Sequence, residues 1–77
     1  MLGQFVVSVT ANTMKEIASA SDLVSGTLPS TVSNAFYNVV SHSSQIVPAD
    51  VSTDGTKVCV YCEKTQNLTI KWFEYKP

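Results

Sequence analysis

Two stretches toward the C-terminal end alternate apolar and polar residues strictly enough to dictate extended backbone. Side chains on a strand point to opposite faces in turn, so a period of two sorts them onto two sides. In 57–63, Val58, Val60 and Cys62 fall on one side, and in 68–75, Leu68, Ile70 and Trp72 do the same. A slip of one residue would turn every apolar group to the wrong face, so the register of each strand is set. The simplest expectation makes them neighbours in an antiparallel hairpin, joined by the three-residue loop Thr65-Gln66-Asn67 with Asn67 in the left-handed conformation. Asp54-Gly55 marks a turn before the hairpin. Pro48 excludes helix around it, which leaves 46–52 as a short edge strand.

The first half reads differently. Residues 5–9 are rich in β-branched and aromatic side chains, the composition of a strand. Thr13-Met14-Lys15-Glu16 fits a capping box, in which the hydroxyl and the carboxylate satisfy free amides at a helix start. Met14, Ile17, Ala18, Ser21 and Val24 follow at helical spacing, and Gly26 offers a left-handed stop, predicting a first helix over 13–25. Thr27-Leu28-Pro29-Ser30 suits a helix start, because proline's missing N–H costs nothing in a first turn. Val32, Phe36, Val39 and Val40 then form an i, i+4, i+7, i+8 stripe, predicting a second helix over 30–43.

The expected fold is therefore α+β, in the order β-α-α-(β)-β-β, with two short helices on one face of a small antiparallel sheet. Val60, Ile70, Trp72, Phe36 and Ile17 would share its core. A chain of 77 residues makes one domain, 1–77, with a modest core. Oligomerisation or a staple often supports domains of this size.

Charge narrows the class of partner. Only 14% of residues are charged, the net charge is −1, and all five basic residues are Lys. Without Arg, the side chain suited to bidentate phosphate recognition is missing, which argues against nucleic acid. No run approaches the roughly 20 apolar residues of a spanning helix, and the first residues lack a basic segment before a long apolar one. The expected setting is the cytoplasm or a particle assembled there, with no membrane association.

Chemistry-bearing groups are sparse. Cys59-Val60-Tyr61-Cys62 has the spacing used for zinc and thiol redox work, but on a strand the two thiols face opposite ways with Cα atoms about 10 Å apart. That is too far for a disulfide, and the chain offers no four-ligand zinc set. Cys62 is expected in the core and Cys59 on the outer face. His42 falls near the end of the second predicted helix, where a capping role suffices. Asn67-Leu68-Thr69 matches a glycosylation sequon, read as fortuitous in that setting. Neither a catalytic set, a metal site, a cofactor site nor a small-molecule substrate is inferred, and the chain is not expected to be an enzyme.

The most informative feature for function is a gap. From Leu23 to Ala49 there is no Asp, Glu, Lys or Arg. Opposite the apolar stripe of the second predicted helix lie Ser33, Asn34, Tyr37, Asn38 and Ser41, where a solvent-facing helix usually carries charge. Depletion of charge marks interface cores, and Tyr with Ser and Asn is the palette of adaptable recognition surfaces. These five are the expected partner-binding residues. A second candidate surface is the opposite side of the C-terminal strands, with Tyr61, Lys71, Phe73 and Tyr75. The expected function is non-enzymatic: assembly with copies of itself, as in a small virion component, or docking on a protein partner. A compact inhibitor is the alternative, and single-strand nucleic-acid binding on the aromatic sheet face a third.

Overall fold

A computed structural model describes residues 1–41, 49–54 and 56–75. They form two antiparallel sheets rather than helices on a sheet. The strands are β1 (Leu2–Val9), β2 (Lys15–Ile17), β3 (Ser25–Gly26), β4 (Ala35–Ser41), β5 (Ala49–Asp54), β6 (Lys57–Cys62) and β7 (Gln66–Glu74). One sheet has the order β3-β1-β7-β4 and the other β2-β6-β5. Helical geometry is confined, among the described residues, to the 3₁₀ turns Ala20–Asp22 and Val32–Asn34.

The α+β expectation is thus overturned, and propensity explains how. Ala35-Phe36-Tyr37-Asn38-Val39-Val40-Ser41 is dominated by β-branched and aromatic residues, poor in a helix and at home on a pleated surface. Its helical stripe was a coincidence of spacing. As β4 it pairs along its whole length with β7, from Ala35↔Glu74 to Ser41↔Leu68. The first predicted helix is likewise replaced by β2, a turn and β3. Glu16 caps no helix and bridges Lys57 on β6 at 2.9 Å. Gly26 is left-handed, with φ 94°, but in a strand. There a Cβ would collide with the Gln4 and Phe5 backbone.

The expected 57–63/68–75 hairpin does not form either, although its parity is right. Val58, Val60 and Cys62 are fully buried, as are Leu68 and Ile70, with Trp72 nearly so. They meet across the interior from two sheets instead of lying side by side in one. The chain crosses between sheets after Cys62, and Asn67 belongs to β7, paired with Ser8. Between β4 and β1, β7 is a central strand, and the inward residues Phe5 and Val7 of β1 pair with its Ile70 and Leu68. The partner of β6 is β5, with Asp54 opposite Lys57. Part of the expected 46–52 strand lies outside the described residues, as does His42.

Face-to-face packing of two sheets buries one core from both inner faces. It comprises Phe5, Val7, Val9, Ile17, Val58, Val60, Cys62, Leu68, Ile70 and Trp72, with Leu23, Leu28, Val32, Tyr37 and Val39 packed against it. Phe36, expected in this core, is 68% exposed. The Trp72 indole N–H donates to the Thr27 carbonyl at 2.8 Å, anchoring the 27–31 segment over the end of the core. Glu74, 3% exposed, holds the same segment. Its carboxylate accepts from the Ser30 N–H at 3.0 Å, the Ser30 hydroxyl at 2.7 Å and the Thr31 N–H at 2.8 Å. The Asp22 carboxylate accepts from the Ala18 and Ser19 amides, which hold its pKa below the usual value.

Candidate interaction surface

The register of the four-stranded sheet fixes what its outer face displays. Residues opposite one another on antiparallel strands point the same way. Leu2 pairs with Phe73 and Phe36 pairs with Phe73, so one row runs Leu2–Phe73–Phe36 across three strands. The next row is Gln4–Lys71–Asn38, and the one after it Val6–Thr69–Val40. Tyr75 extends the first row, its ring centroid 5.7 Å from that of Phe36.

This first row faces solvent. Leu2 is 77% exposed, Phe36 68%, Phe73 46% and Tyr75 42%. Together they present on the order of 400 Å² of apolar side chain, taking a large side chain as roughly 200 Å². That matches the largest apolar patch of a typical monomer, roughly 300–600 Å², which is often a contact site. Leu2, Phe36, Phe73, Asn38 and Lys71 line a groove of about 270 Å³ in this face. Deeper in the same face, Thr69 is 3% exposed and its hydroxyl has no hydrogen-bond partner.

The five residues of the uncharged stripe do not share one surface. Ser33 and Asn34 lie in the 3₁₀ turn, and the Asn34 carbonyl accepts from the Tyr75 amide at 3.1 Å. Tyr37 points inward, against the core, and its hydroxyl donates to the Val32 carbonyl at 2.8 Å. Burial first, and then the negative charge of Glu74, push its phenol up to about 12. Asn38 is exposed on the outer face beside Lys71. Ser41 ends β4, paired with Leu68. A helical face is therefore not available as a contact surface.

Of the second set, Lys71, Phe73 and Tyr75 come together on the outer face. Tyr61 is on the other sheet, where its hydroxyl donates to the Asn12 side chain at 3.2 Å. Leu2 and Phe36 complete the aromatic row and were not foreseen. For Phe36 the signal was the parity of β4, hidden because both of its faces are apolar; Leu2 joins through the pairing of β1 with β7.

Cys62 is buried and Cys59 faces the other way. Among the described residues, no group of three His, Cys, Asp or Glu could hold a metal ion, and no helix is long and apolar enough to cross a membrane. No protein-family model, curated protein or solved structure matches the chain.

Proposed function

We propose that this chain is a non-enzymatic protein-binding or assembly domain whose contact surface is the outer face of the four-stranded sheet. The observation that carries this reading is the Leu2–Phe73–Phe36 row with Tyr75 beside it. Four large apolar side chains lie contiguous and exposed in a chain whose core is already filled from both sheets. Aromatics are enriched where interfaces draw their binding energy, because each removes a large area from water with few rotors to freeze. Uncharged Asn38 and Gln4 flank the row and supply the polar rim that surrounds such a patch. Protein is favoured over nucleic acid because Lys71 is the single cation among these rows and the net charge is −1.

A photoreactive phenylalanine analogue at Phe73, with a control at Ser8 on the far end of the same face, tests the reading in cells that make the protein. The expected result is a protein adduct of defined mass from position 73 and none from position 8. Equal labelling at both positions, or adducts with nucleic acid alone, would overturn it.

A further inference from the structure

The two sheets end in four edge strands, and edges with open backbone groups are templates for another chain unless guarded. Three are guarded. β3 is two residues long. β2 is three residues long and carries Lys15 and Glu16. β5 runs through Asp50 and ends at Asp54. The fourth, β4, is seven residues of AFYNVVS, with no charge, no proline and no glycine. Its inner side is paired with β7 throughout. Its outer side has no strand partner among the described residues. Among the described residues, this uncharged edge is also the one that borders the aromatic row, through Phe36.

We propose that β4 pairs antiparallel with β4 of a second copy, about a two-fold axis at Asn38, joining two four-stranded sheets into one of eight strands. This rests on reading the chain as a protein-binding domain, and it names the partner. The strand is self-complementary in that register. Asn38 meets Asn38 of the second copy, and a side-chain amide carries both donors and an acceptor, so two of them bond across the axis. On the outer face Phe36 lies opposite Val40 of the second copy, an aromatic against a β-branched side chain, a favourable cross-strand pair. On the inner face Tyr37 lies opposite Val39. No charge on either strand opposes the approach. The two aromatic rows become parts of one continuous face.

Pairing over seven residues with shelter for Phe36 removes roughly 500 Å² per copy, below the roughly 800 Å² of a standard interface. The expected dimer is therefore weak and reversible, and its mass is read from micromolar to millimolar concentration. Sedimentation equilibrium across that range is expected to show the mass rising from 8.3 kDa toward twice that value. Asn38→Lys sets two like charges face to face on the axis and should hold the mass at 8.3 kDa with its circular dichroism unchanged. In a Cys59→Ser background, Asn38→Cys should be trapped as a disulfide dimer by mild oxidation, since directly opposed strand residues lie within disulfide reach. Ser8→Cys, away from the edge, should not.

A wild-type mass fixed at 8.3 kDa, undiminished association of Asn38→Lys, or equal trapping at positions 8 and 38 would overturn the pairing. An adduct to a different protein at Phe73, with the chain itself monomeric, would remove this inference and leave the binding-domain reading standing.

Discussion

The indole of Trp72 lies over the bare Cα of Gly3, its cross-strand partner in the β1–β7 pairing. A methyl group at position 3 would stand 2.6 Å from Cε2 and 2.9 Å from Cη2 of the ring. Neither strand can yield, because each is paired along its length. Gly3→Ala should therefore push the indole out of place and break its bond to the Thr27 carbonyl. A cost of about 1–3 kcal/mol is expected, as for overpacked cores. Trp72 is the single tryptophan, so a red-shifted emission should accompany the loss in urea unfolding. An unshifted spectrum with full stability would refute the packing.

Glu74→Gln probes the other anchor of the same segment. The carboxylate accepts three hydrogen bonds from Ser30 and Thr31 while almost fully buried. A glutamine keeps one acceptor oxygen and sets an NH2 donor against a donor where the other carboxylate oxygen stood. Bonds to a charged acceptor contribute roughly 1.5–3 kcal/mol each at most, and about 2 kcal/mol of stability should be lost in urea unfolding. A neutral substitution would mean that these three bonds do not hold the segment.

Tyr37 predicts the behaviour in alkali. Its folded pKa of about 12 is raised above the ordinary 10.0, so the fold favours the neutral phenol. That contribution is complete below pH 10, declines as pH rises from 10 toward 12, and is gone above the folded value. Ultraviolet titration should show one phenol ionising near 12 in the folded protein. Tyr37→Phe should abolish that step. Its persistence in the variant would move the buried phenol elsewhere.

These anchors show where the sequence was legible. Alternation in 57–63 and 68–75 identified both strands and the inward residues, because polar and apolar positions contrast there. It could not say whether two apolar faces lie side by side in one sheet or meet across an interior, since both arrangements satisfy the same parity. In 35–41 both faces are apolar, so the period of two vanished and the accidental helical spacing of Phe36, Val39 and Val40 prevailed. The β-branched content carried the correct signal. The aromatic row was half visible, through Lys71, Phe73 and Tyr75. Leu2 and Phe36 joined it only through strand pairings remote in sequence, which local pattern does not encode.

The thiols separate by burial. Cys62 sits in the core and accepts a weak hydrogen bond from the Gln66 amide at 3.2 Å. Cys62→Ser should cost about 1–3 kcal/mol by placing a hydroxyl in an apolar interior. Cys59→Ser should stay within about 0.5 kcal/mol, the usual span for surface substitutions. Chelators should change neither. Equal costs at the two positions, or loss of structure on chelation, would contradict the strand orientation.

A surface reserved for a partner must be surplus to the fold, and Phe36→Ser tests this for the aromatic row. Phe36 is 68% exposed, with Phe73 and Tyr75 beside it on the outer face. The unfolding free energy, measured in urea at a concentration low enough to keep the protein monomeric, should fall by about 1 kcal/mol or less, the worth of its cross-strand contacts. A loss of about 3–5 kcal/mol, the cost of emptying a buried phenylalanine site, would place Phe36 in the core and contradict the account.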